Sequence, residues 1–174
     1  MINFKNIEYL KFGNIRQKEA YFELKELKIF ENLKKYKPIL TGTIPLEIDL
    51  PESDLDIICQ CTNHDEFSKL LSELFEDYNE FKIKSKKYNG VKSTIVKFKT
   101  DKFKIEVFGQ SIPTNHQNAY KHMVIEYKIL NEKGAEFKTE IINLKMNGLN
   151  TEASFAKLLG LEGNPYEELL KFEI

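Results

Sequence analysis

The chain has 174 residues, which suits one domain or one domain with a helical appendage. Hydrophobic residues make up 41% and aromatic residues 12%, so a sizeable core can form. The 26 basic residues nearly cancel the 27 acidic ones, and the net charge of −1 excludes a global field that attracts nucleic acid; only a local basic groove stays open.

No apolar run approaches the length of a membrane span, and the first residues lack the apolar region of a signal peptide. A cytoplasmic location without membrane contact is therefore expected. Cys59 and Cys61 sit two apart on a predicted buried strand and are read as reduced thiols, not a disulfide.

Residues 1–14 are mixed, and Gly13-Asn14 reads as a stop before a helix. From Ile15 to Tyr36, Ala20, Leu24, Leu27 and Leu33 recur at helical spacing, with Phe30 close to the stripe. Lys18, Glu19, Lys25 and Lys28 take the other side, so one amphipathic helix is expected to lie on a sheet. Pro38 ends it and a first strand follows through Leu40. The chain then turns at Thr41-Gly42-Thr43 and crosses a polar connection with Pro45 and Pro51. It enters a second strand at Ser53-Asp54-Leu55-Asp56-Ile57-Ile58. A strand puts residues i and i+2 on one face, so Asp54 and Asp56 should point one way and Leu55 and Ile57 the other. Two like charges held side by side repel, and the pair asks for a hard cation such as Mg²⁺.

Thr62-Asn63-His64-Asp65 offers caps for a second helix reaching about Tyr78, with Phe67, Leu70, Leu71, Leu74 and Phe75 inward. The period then changes. Three antiparallel strands are predicted, starting at Phe81, at Val91 and at Phe103, with an Asn-Gly hairpin signal at Lys87-Tyr88-Asn89-Gly90. On the last of these, Lys104, Glu106 and Phe108 share a face, opposite Ile105 and Val107. This order of elements predicts an α/β (α+β) fold with a mixed β-sheet flanked by helices, not a pure Rossmann wind.

From Pro113 onward the pattern is helical. One helix is expected to open at Asn115-His116-Gln117-Asn118 and run to about Leu130, and another from Ala135 to Met146 with Asn147-Gly148 as its stop. A third spans Thr151 to Leu159, and the last starts at Pro165. The boundaries expected are 1–112 for an α/β core that includes the N-terminal helix, and 113–174 for a helical subdomain. His122 and Glu126, four apart, share a face and could bind a metal or orient a base, but a surface pair is expected. Lys121 and Lys128 read as solvated, and His64 and His116, at predicted helix starts, as solvent-facing.

Gly42-Thr43 followed by Asp54-Leu55-Asp56, with Glu106 on a later strand, resembles the signature of the polymerase-beta-type nucleotidyltransferase superfamily. Thr43 stands where serine is commoner, and Glu106 where aspartate is. A second resemblance runs from about Leu40 to Leu170, to a family of small uncharacterised bacterial proteins with this superfamily's fold. It rests on Thr41-Gly42-Thr43-Ile44-Pro45, Ser53-Asp54-Leu55-Asp56-Ile57, Gln117 to Met123 and the tail Gly148 to Tyr166. These resemblances imply a nucleotidyltransferase-like fold with Asp54, Asp56 and Glu106 as catalytic carboxylates and as ligands of Mg²⁺ (or Mn²⁺). They imply a nucleoside triphosphate as substrate, its phosphates meeting Gly42, Thr43 and Ser53. Three carboxylates suit two-metal chemistry, which stabilises both the attacking and the leaving oxygen of an in-line displacement. The acceptor, whether small molecule, protein or RNA, stays open. So do two other readings: a nucleotide-binding module without turnover, and a protein-interaction module that keeps the fold.

Overall fold

The computed structural model describes residues 2–88 and 90–173. Helix α1 (Ile15–Glu26) starts where the sequence signals it. The Asn14 side chain accepts from the Gln17 amide at 2.9 Å, while the Gln17 side chain accepts from the Asn14 amide at 3.2 Å. That reciprocal cap satisfies two donors at the open end of the helix. The helix does not run on to Tyr36 as expected. Lys28 takes a left-handed backbone (φ 52°), and a short helix α2 (Ile29–Asn32) leaves at a new angle. The break lets Ile29 join Leu24 and Leu33 in the core, all three fully buried; an unbroken helix would have presented Phe30 and Leu27 there.

Strands β1 (Ile39–Thr41), β2 (Leu55–Gln60), β3 (Asn79–Tyr88), β4 (Val91–Lys99) and β5 (Lys104–Gln110) form one sheet in the order β1-β2-β5-β4-β3. Only the β2–β5 pair is parallel; the other pairs are antiparallel. Helix α3 (His64–Phe75), capped by the Asn63 side chain accepting from the Glu66 amide at 3.1 Å, supplies part of the crossover. It ends at Phe75, three residues short of the expected Tyr78. The hairpin β3–β4 pairs Tyr88 with Val91. Of its Asn-Gly turn, Asn89 lies outside the described residues, and Gly90 has the positive φ (80°) such turns use.

The alternation of each strand divides the sheet into two faces. Leu55, Ile57, Val96, Phe98, Ile105 and Val107 point to α1 and α3 and are almost wholly buried. Phe98 stacks on Phe75 of α3 with ring centroids 4.6 Å apart. Each fully buried side chain of this size contributes about 1.5–3 kcal/mol. Both cysteines are free and buried on β2 and just beyond it. His64 is buried, not solvent-facing: its Nδ1 lies 2.9 Å from the Thr94 hydroxyl on β4, which draws the start of α3 onto the sheet. His116 is exposed. The edge strand β3 is largely exposed and carries Lys82, Lys84, Lys86 and Lys87, charges that discourage pairing with another chain.

On the opposite side, α4 (Asn118–Met146) touches β1, and α5 (Thr151–Leu159) and α6 (Pro165–Lys171) pack on α4. The two helices expected before Met146 are both present within α4, which is broken between them by the non-helical backbone of Gly134 (φ 81°, ψ −167°). Asn150 caps α5 and Asn164 caps α6. A second core gathers Met123, Ile129, Ile141, Phe155 and Leu169, and takes in Phe4, Leu46 and Ile48 from the N-terminal half.

Candidate active site

Between the sheet and these C-terminal helices lies a cleft of about 660 Å³. Gly42, Thr43, Asp56, Glu106 and Phe108 line its sheet wall; Gln117, His122, Glu126, Glu152 and Tyr166 line its helical wall.

The sheet wall follows from register. In the parallel pair, Asp56 of β2 stands beside Glu106 of β5, so their carboxylates leave the same face. Thr41 of β1 stands beside Asp56 on the other side, and its hydroxyl donates to the Asp56 carbonyl at 3.3 Å. The chain must then turn at once to clear the acid. Gly42 does so at φ +83°, and a Cβ built there would come within 2.5 Å of Asp56 Oδ2. No other residue fits so close to that carboxylate without moving it. Burial, and then the negative charges of Glu106 and Asp54, push the Asp56 carboxyl up to about 7. Lys97 of β4, in register with Glu106, forms an ion pair with it at 2.5 Å.

Asp54 precedes β2 by one residue and does not line the cleft, although its charge acts on Asp56 and Lys97. Thr43 lines the cleft and donates its hydroxyl to Ser53 at 3.3 Å. Ser53 also accepts from the Leu50 amide at 2.9 Å and is absent from the cleft wall, so it acts on the loop that Thr43 opens. That loop is held from both cores. Gln17 of α1, buried, donates to the Ile44 carbonyl at 3.0 Å and the Pro45 carbonyl at 3.3 Å. Lys145 of α4, also buried, donates to the Ile48 carbonyl, and Lys138 pairs with Glu47 at 2.6 Å.

The helical wall departs from expectation. His122 and Glu126 are no surface pair; they are 6% and 4% exposed. Glu152, in the first turn of α5, comes within 3.3 Å of His122 Nδ1, and Tyr166 of α6 stacks on the imidazole at 5.9 Å. The ligand atoms of His122, Glu126 and Glu152 all lie within 4.8 Å of one another. Asp54, Asp56 and Glu106 do not converge that tightly. Burial first, and repulsion from Glu152 next, raise the Glu126 carboxyl to about 8, with Lys145 opposing. Gln117 fixes the start of α4 by donating to the carbonyls of Cys59 at 3.0 Å and Ile112 at 2.9 Å.

The oxygens of Asp56 and Glu106, with Asp54 close by, are the donors that Mg²⁺ takes. The glycine bend that brushes one of them leaves room only for backbone, which suits approach to a phosphate.

A family model described as a domain of unknown function, DUF4269, matches residues 22–172. The chain belongs to the DUF4269 family. No curated protein matches this DUF4269 chain. Among solved structures it is similar to the Cid1 poly(U) polymerase with MgGTP bound, at 14% identity and a TM-score of 0.55, over 79% of this chain and 47% of that one. It is similar to the GLD-2/RNP-8 complex, at 12% identity and a TM-score of 0.57, over 84% of this chain and 57% of that one. A cytoplasmic RNA terminal U-transferase matches at 17% identity and a TM-score of 0.51, over 74% and 38%. The DUF4269 chain thus spans about half the length of these structures or less. It has the nucleotidyltransferase fold expected from Gly42-Thr43 and Asp54-Leu55-Asp56. No helix among the described residues is long and apolar enough to cross a membrane.

Sequence reasoning missed Lys97, Gln117, Glu152 and Tyr166. Glu152 lies in the distinctive tail Gly148 to Tyr166, but it reads there as an ordinary acid in the first turn of a capped helix. Lys97 is one of many strand lysines, and only its register with Glu106 singles it out.

Proposed function

We propose that this protein is a Mg²⁺-dependent nucleotidyltransferase that moves a nucleoside monophosphate from a nucleoside triphosphate to a hydroxyl of an acceptor. The observation that carries this reading is the register of Asp56 with Glu106 on one sheet face, beside the Gly42-Thr43 bend. In this reading the acceptor oxygen bonds to the α-phosphorus, the bond to pyrophosphate breaks, and the acceptor's proton leaves to a carboxylate or water. Asp54, Asp56 and Glu106 would hold Mg²⁺ or Mn²⁺, which would neutralise the phosphates and lower the pKa of the acceptor hydroxyl. The Gly42 and Thr43 amides and the Thr43 hydroxyl meet the phosphates, and Ser53 keeps the Thr43 hydroxyl in place. Residues 1–112 serve as the catalytic core, and 113–174 close the far side of the cleft. A cytoplasmic setting belongs to the same reading.

The test is triphosphate binding by calorimetry with and without Mg²⁺, followed by pyrophosphate release with a panel of small-molecule, protein and RNA acceptors. Wild type should bind only with Mg²⁺, and Asp56→Asn and Asp54→Asn should each weaken binding at least tenfold. Equal binding by wild type and both variants would end the proposal. The Lys97–Glu106 ion pair favours a second reading, a nucleotide-binding module without turnover. Binding with no pyrophosphate release across the panel is what that reading expects.

A further inference from the structure

We propose that His122, Glu126 and Glu152 form a second cation site, on the helical wall of the cleft, that takes one transition-metal divalent ion of the Zn²⁺ or Mn²⁺ class. The inference does not depend on nucleotidyl transfer. His122 and Glu126 sit one turn apart on α4, and Glu152 enters from the first turn of α5. Their ligand atoms lie within 4.8 Å of one another. Donors about 2.0–2.2 Å from a shared ion stand up to about 4.4 Å apart, so small side-chain shifts close the site.

One independent feature points into this site. Glu126 is 4% exposed, lines the cleft, and no cation lies within ion-pair distance of its carboxylate among the described residues. Lys145, the buried cation whose charge reaches Glu126, donates to the Ile48 carbonyl and forms no ion pair with Glu126 among the described residues. Buried polar groups of this kind ordinarily find partners. A cation bound by the two carboxylates and the imidazole gives Glu126 one. Tyr166, stacked on His122, holds the ring in place. One nitrogen with two carboxylate oxygens suits Zn²⁺, Mn²⁺, Fe²⁺ or Co²⁺ better than Mg²⁺, which prefers oxygen alone. Three protein ligands would leave further positions open, and all three residues line the cleft that also holds Asp56 and Glu106.

The experiment titrates chelator-treated full-length protein with Co²⁺, read by its visible absorption, then displaces it with Zn²⁺, all without nucleotide. With millimolar Mg²⁺ present to occupy Asp54, Asp56 and Glu106, wild type should take up one Co²⁺ per chain. Glu126→Gln and His122→Gln should each weaken uptake 10–100-fold, while Asp56→Asn should leave it unchanged. Failure of the nucleotide-binding test with Co²⁺ uptake intact would leave this site standing. Where a variant fails to fold, the wild-type imidazole resonances decide: Zn²⁺ should shift those of His122 and leave His64 and His116 in place. No uptake at millimolar Co²⁺, uptake lost in Asp56→Asn, or shifts at the other histidines in place of His122 would overturn the proposal.

Discussion

Gly42 and Asp56 constrain each other. The glycine adopts φ +83°, and the space where its Cβ would stand is taken by Asp56 Oδ2. Gly42→Ala therefore suffers twice, from backbone strain and from collision with a carboxylate. It should lose about 1–3 kcal/mol in urea unfolding. Gly160→Ala is the control, because Gly160 shares the positive φ (67°) but a Cβ there meets nothing within 4 Å. The difference between the two variants isolates the collision. Equal losses would mean that the carboxylate swings aside freely, and that the glycine serves the turn alone. The sequence indicated the glycine and both acids. It could not indicate Lys97, whose charge reaches Glu106 only because β4 lies next to β5.

Among the elements, α4 carries a conformation that few residues tolerate. Gly134 breaks the helix into two halves at φ 81° and ψ −167°, a region that belongs almost wholly to glycine. The kink lets the first half of α4 present His122 and Glu126 to the cleft, while the second half buries Ile141 and reaches the 44–53 loop through Lys138 and Lys145. Gly134→Ala is expected to lower stability by about 1–3 kcal/mol, although open space surrounds the position. Chemical denaturation measures this, and an unchanged midpoint would show that α4 straightens at no cost. The element boundaries were legible where caps mark them, as at Asn14, Asn63, Asn150 and Pro165. The break at Lys28 was not, because lysine is a good helix former and only the demand to bury Ile29 forces the turn.

For the whole molecule, the acids in the cleft couple folding to pH. The folded protein holds the Asp56 proton up to about pH 7, whereas the unfolded chain releases it near the ordinary 3.8. Within that window the folded state binds more protons, so this group's contribution to stability is full below about pH 4 and is lost as pH rises to 7. Asp56→Asn cannot lose it. In chelator, the variant should match wild type near pH 4 and exceed it by up to about 4 kcal/mol above pH 7, as thermal unfolding across that range would record. A wild type more stable than the variant at pH 8 would contradict the buried, like-charged setting of Asp56. Mg²⁺ bound at these carboxylates should narrow the gap, since it relieves the same repulsion.

By itself the sequence determined whatever depends on neighbours along the chain. That covers the strand alternation placing Asp56 opposite Leu55 and Ile57, the helix caps, the glycine bend and the succession of helices after Pro113. Periodicity reports which face of an element is apolar, and caps report where it stops. Only the tertiary structure decided which elements meet. It set β2 parallel to β5 so that Asp56 stands beside Glu106, turned His122 and Glu126 inward, and brought Glu152 to them from thirty residues on. Such contacts arise from long-range packing, and no local pattern encodes the partner across a cleft.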